Sequence, residues 1–168
     1  MADPHIKSPM DFWDYLTVIL YRSGFVLAAI MTALLPYYPE QAYTGLLIAA
    51  MCCASSLHIY LKHFRLLLQF ATWSALLCHL FGFHELALGA VFVTLGGLAY
   101  KEYFCFKIFC LNLQPLFLAL LWFSALFNFT FIFNILSVIS SVLFLLTAIQ
   151  KWRMPLHFDI GDKMKYQV

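Results

Sequence analysis

Long apolar runs, broken by brief polar intervals, make up most of the chain. Six can be marked, at residues 16–38, 42–61, 66–83, 86–100, 111–127 and 129–149. They approach the roughly 20 residues that a helix needs to cross the hydrocarbon core of a bilayer. The runs are apolar on all sides, whereas a surface helix of a soluble bundle keeps a polar stripe. Segments of about ten residues that alternate apolar and polar positions, the signature of a membrane barrel, are not seen. The pattern predicts an all-α fold, a polytopic transmembrane bundle of six helices. Residues 1–15 form a cytoplasmic or interfacial N-terminus and residues 151–168 a cytoplasmic tail.

The polar intervals set the sidedness. Basic residues near helix ends stay in the cytoplasm, and all ten Lys and Arg residues fit one side of a six-helix model with both termini inside. Lys7 and Arg22 belong to the N-terminal end, Lys62 and Arg65 to the second connection, Lys101 and Lys107 to the fourth. Lys151, Arg153, Lys163 and Lys165 lie in the tail, while the first, third and fifth connections carry Glu40, Glu85 and Asn128 and no cation. Composition agrees: 64% of the 168 residues are hydrophobic and 11% charged, against about 25% charged in a soluble domain. The N-terminus, with Asp3, Asp11 and Asp14 and no small-x-small site after the first run, does not read as a secretory signal.

Small residues predict which helices approach closely. Gly24, Ala28 and Thr32 form a smooth stripe on the first helix. The fourth, with Gly89, Gly96 and Gly97, is the richest and is expected at the centre of the bundle. Packing of the first helix on the fourth would bring Arg22 to Glu102. The second helix is expected to carry His58 one turn from its inner end and to close on the third through a tight turn at residues 62–65. Pro115, beside Asn112 and Gln114, hints at a broken helix of the kind found in transporters. No internal repeat is visible.

One stretch concentrates chemistry: Tyr100-Lys101-Glu102-Tyr103-Phe104-Cys105-Phe106-Lys107. Charge at membrane depth seeks a partner and by default marks a functional site. The candidate polar cluster is therefore Arg22, Lys101, Glu102 and Cys105, with Tyr21, His58, Asn112 and Gln114 as secondary candidates. An arginine at this depth can also bend its head to the interface.

His58, Glu102, Cys105 and Cys110 have ligand types that suit zinc. Their spacing is not diagnostic, and membrane cysteines are commonly plain packing residues, so no metal and no cofactor is expected. Neither GxSxG nor HExxH occurs, and no catalytic motif is recognised.

Tyr21-Arg22-x-Gly24 and Lys101-Glu102-x-x-Cys105-Phe106 resemble the bacterial integral membrane family catalogued as domain of unknown function 2301. Length and six-run hydropathy fit the same family, whereas Ala99-Tyr100 stands where a small residue is expected directly before the Lys-Glu pair. The resemblance implies a multi-pass protein of the bacterial inner membrane without implying an activity. Two functions follow as expectations: a small transporter or permease-like protein with an inner-leaflet polar site, or a non-catalytic membrane scaffold or assembly factor. The expected partners are the lipid bilayer, with room for a homo-oligomer or a membrane-protein partner; nucleic acid is not among them.

Overall fold

The computed structural model describes residues 9–165, so Lys7 and the last three residues of the tail lie outside it. The described chain is helical. It runs through α1 (Phe12–Leu34), α2 (Pro39–Ala54), α3 (Lys62–Leu80), α4 (His84–Phe106), α5 (Gln114–Leu126), α6 (Thr130–Arg153) and a short α7 (His157–Ile160). A 3-10 turn, Leu111–Leu113, leads into α5.

Local chemistry explains where these helices start and stop. The Asp11 backbone N–H donates to Asp14 Oδ2 at 2.9 Å, satisfying a group that the first turn leaves free. Proline stands in the first turn of both α2 and α5, where its missing N–H costs nothing. Lys107, in the left-handed region at φ 49°, ends α4 by donating its N–H to Tyr103 O at 2.8 Å.

The helix limits differ from the apolar runs at two places that matter. α2 stops at Ala54, and residues 55–61 form an irregular connection. Ser55 Oγ donates to Cys52 O at 3.0 Å, and a hydroxyl bonded locally to the backbone competes with helix continuation. His58 therefore lies on a loop, and Lys62 to Arg65 form the first turn of α3 instead of the connection. In the other direction, α4 continues past Tyr100 to Phe106, carrying Lys101 and Glu102 within a helix.

α4 is the hub of the bundle, touching α2, α3, α5 and α6. α1 packs on α2 and α6, not principally on α4. Its small-residue stripe is used against α2: a Cβ added at Gly24 would collide with Cys53 Sγ and stand 3.1 Å from Ala49 O. The contact with α6 is made by hydroxyls. Ser137 Oγ donates to Thr32 O, and Ser141 Oγ to Ala29 O at 2.7 Å. Thr72 and Thr94 join α3 to α4 at 3.0 Å. Such bonds suit a medium in which apolar burial gives little drive between helices.

The outer surface has the character of a lipid-facing one. Phe70, Phe131 and Val138 are 75%, 78% and 59% exposed, and a water-soluble monomer rarely shows so continuous an apolar face. Among the described residues, two helices, Phe12–Leu34 and Thr130–Arg153, are long and apolar enough to cross a membrane by length and composition. α2 and α5 are shorter, rising about 24 Å and about 20 Å.

The contact at Gly24 yields a test. Gly24→Ala is expected to destabilise the bundle by about 1–3 kcal/mol through overpacking. Adding Cys53→Ala should recover part of that loss, because it removes the colliding sulfur. Thermal unfolding in detergent of the two single variants and the double variant measures the recovery; simple additivity would show that the two residues do not meet.

Candidate functional site

Five charged side chains meet at one end of the bundle. Glu102 on α4 is 0% exposed. Its Oε1 accepts from Tyr21 Oη on α1 at 2.6 Å and lies 3.1 Å from Lys101 Nζ. Its Oε2 lies 2.9 Å from Lys151 Nζ on α6. Lys151 also contacts Asp159 Oδ1, on α7. The other oxygen of Asp159 accepts from Arg22 Nε at 2.7 Å and stands 2.6 Å from a second guanidinium nitrogen. Charge thus alternates along the buried chain Arg22, Asp159, Lys151, Glu102, Lys101.

Each member is placed by a local feature. Tyr21 and Arg22 are consecutive, so they leave α1 in directions about 100° apart. Tyr21 meets α4, while Arg22 meets the segment after α6. Pro155 cannot continue that helix, and the chain turns back beneath the bundle as a strap of residues 154–163. The turn brings two carbonyls to Arg22, which donates to Met154 O at 2.8 Å and to Pro155 O at 2.9 Å, the second of which also accepts from Phe158 N at 3.3 Å. A guanidinium offers five donors in a fixed fork, which fits one carboxylate and two carbonyls together. The strap is also held at its far end, where Asp162 N donates to Tyr60 Oη at 2.8 Å and Lys163 Nζ to Asp14 Oδ2 at 2.5 Å. The hydrogen bond to Asp14 holds the Lys163 ammonium above the usual lysine range.

The cations lie near aromatic faces. Lys101 Nζ is 4.9 Å from the Tyr21 ring centroid and Lys151 Nζ 5.1 Å from the same ring. Arg22 and Lys151 are almost fully enclosed, but Lys101 is 23% exposed. It opens onto a cavity of about 630 Å³ that Lys151, Asp159, His58, Tyr60 and Cys105 also line. His58 Nε2 lies 3.1 Å from Thr17 Oγ1, which ties the loop of residues 55–61 to α1.

The candidates therefore separate. Arg22, Lys101, Glu102 and Tyr21 belong to one network, and Cys105 and His58 line the cavity beside it. The expected Arg22–Glu102 pair is replaced by Arg22–Asp159 and Glu102–Lys151, because α1 packs on α6 and its strap. Asn112 is exposed, and Gln114 is buried at another level, donating to Ser140 O at 3.2 Å. Among the described residues, no three His, Cys, Asp or Glu side chains come together to hold a metal ion, so His58, Glu102, Cys105 and Cys110 do not form one centre.

Lys151 and Asp159 are absent from the sequence-derived set. They lie in a mixed-charge tail that hydropathy assigns to water. The available signal was Pro155, midway between a cation and an acid 8 residues apart, which can fold the chain back on itself.

Breaking a buried ion pair by removing one partner costs about 3–5 kcal/mol. Arg22→Ala and Asp159→Ala should each lose stability on that scale, and the double variant should lose clearly less than their sum. Arg22→Lys should not rescue, since one ammonium cannot reproduce the fork. Thermal unfolding of the purified chain checks all four variants; additive losses would show that the two residues do not pair.

A family model described as "Uncharacterized integral membrane protein (DUF2301)" matches residues 80–168. An "Uncharacterized protein" of Haemophilus influenzae is 64% identical over 168 residues, covering the whole of both chains. No solved structure matches the chain.

Proposed function

The chain belongs to the DUF2301 family of uncharacterized integral membrane proteins, and on that premise we propose that it is a transporter-like protein that binds a small solute in the cavity beside Lys101. In this reading it crosses the bacterial inner membrane six times, with both termini and the cavity on the cytoplasmic side. The observation that carries the reading is a cavity of about 630 Å³ whose lining includes three members of the charged network, Lys101, Lys151 and Asp159. Ligand pockets usually measure about 300–1,000 Å³.

A second feature supports it. α5 is only 13 residues long, and its start lies at mid-bundle. Gly96, midway along α4, faces Pro115, and Gln114 donates to Ser140 near the middle of α6. Among the described residues, Gln114 Oε1 and Ser140 Oγ find no hydrogen-bond partner there. Helices that begin inside the membrane, with free polar groups at their ends, recur in transporters.

The scaffold reading rests on a different observation. Arg22 is 1% exposed, and its contacts with a carboxylate and two carbonyls leave it closed to any solute. On this view the network only locks α1, α4, α6 and the strap together.

Two measurements separate these readings. A charged, membrane-impermeant maleimide should label Cys105 on inverted membrane vesicles and not on right-side-out cells, with the site identified by peptide mass spectrometry. A Cys105 inert on both sides would favour the dry scaffold. Reporter fusions at residues 40, 84 and 128 should report the periplasm, and a cytosolic signal at any of them would overturn the six-span arrangement.

A further inference from the structure

We propose that the cavity accepts an amphiphilic monoanion, a single negative head carried on an apolar body. This deepens the reading of the cavity as a solute site and rests on it.

The charges of the network carry the argument. Arg22, Lys101 and Lys151 face two carboxylates, Glu102 and Asp159. One positive charge is left over, and its position is legible from the contacts. Lys151 stands between both carboxylates and is 3% exposed. Arg22 has Asp159 and two carbonyls. Arg22 and Lys101 each share their carboxylate with Lys151, but Arg22 adds two carbonyls where Lys101 adds the Tyr21 hydroxyl at 3.4 Å, and Lys101 alone of the three cations is appreciably open, at 23%. Among the described residues that line the cavity, Asp159 is the only carboxylate, set against Lys101 and Lys151. An ammonium without a full counter-charge at the edge of a low-dielectric bundle draws an anion to itself. The excess of one charge favours a monoanion over a dianion.

The remaining wall decides what the anion is attached to. Leu61, Phe64, Tyr100, Phe104, Met154 and Phe158 line the cavity. A bare inorganic ion would leave these surfaces unfilled, whereas an apolar chain would cover them. Two sources supply the same chemistry, a free long-chain carboxylate or the headgroup region of an anionic lipid entering from the leaflet.

The test uses the full-length protein in phosphatidylcholine nanodiscs and the rate of maleimide labelling at Cys105. Decanoate is expected to slow labelling about fivefold or more, which corresponds to roughly 1 kcal/mol of occupancy. Decanol, decyltrimethylammonium and inorganic phosphate should change the rate less than about twofold. Nanodiscs containing phosphatidylglycerol assign the source. Slow labelling there without decanoate points to the lipid, and unchanged labelling points to the free carboxylate.

Lys101→Gln should abolish the protection by decanoate, and Lys101→Arg should keep it, showing that the loss is one of charge and not of folding. Equal protection by decanol or by the ammonium amphiphile would overturn the anion, and equal protection by phosphate the apolar body. Protection that survives Lys101→Gln would overturn the role of Lys101. Brisk labelling that no probe slows would overturn the ligand class while leaving an open solute site in place; a Cys105 that never reacts would overturn both.

Discussion

The ammonium of Lys151 stands between the carboxylates of Glu102 and Asp159, and the arrangement of the charged end follows from that double contact. An ion removed from water is costly unless opposite charges and hydrogen bonds replace the water. In a bundle whose surroundings are lipid, those replacements must come from the chain itself. Glu102 comes from the middle of the sequence and Asp159 from near its end, so satisfying Lys151 joins α4, α6 and the strap at one point. Arg22 extends the same logic. It needs more acceptors than Asp159 provides, and the turn at Pro155 supplies two carbonyls. The strap is held because it completes the solvation of two buried cations.

Away from that end, the helices associate through other means. Gly24 lets α1 approach Cys53 on α2, and Ser137 and Ser141 bond backbone carbonyls of α1 from α6. Both devices suit helices whose outer faces rest in lipid, where packing and hydrogen bonds carry more of the association than apolar burial does. The position of α4 agrees with this view. It brings small residues to several neighbours, with Gly89 facing Trp122, Gly96 facing Pro115 and Gly97 facing Leu68. Its last turns then present Glu102 to the ion network.

The sequence made the presence of this network legible but not its pairing. Arg22 and Glu102 stood out because charge within apolar runs is rare, and their common depth followed from helical rise. Their partners did not stand out, because Lys151 and Asp159 belong to a tail rich in both signs of charge, where hydropathy sees only water. A charged residue is read as solvated unless something signals that the chain returns, and Pro155 carries that signal only once the neighbouring helix is known. The position of His58 failed to emerge for a related reason. Hydropathy does not register the end of a helix when the next residues remain apolar, and Leu57, Ile59 and Leu61 continued the run past the turn at Ser55. The central place of α4 was legible because small residues at close contacts leave a mark in composition.

The network has two sides with different degrees of closure, and the functional argument turns on that difference. On the Arg22 side, a guanidinium fork, a carboxylate and two carbonyls use one another fully. On the Lys101 side, Glu102 serves two ammonium groups just as Asp159 serves Arg22 and Lys151, but the terminal cation here has a hydroxyl in place of two carbonyls and borders a cavity walled by aromatic rings. A purely mechanical lock has no need of an unequal division, since a third carboxylate in place of any cavity-lining residue near Lys101 would balance the set. Leaving that charge incomplete at the cavity wall costs stability, which under the proposed reading an incoming anion would recover. Under that reading the strut and the proposed site use different atoms of one network: Arg22 and the strap hold the end of the bundle together, and Lys101 faces the cavity.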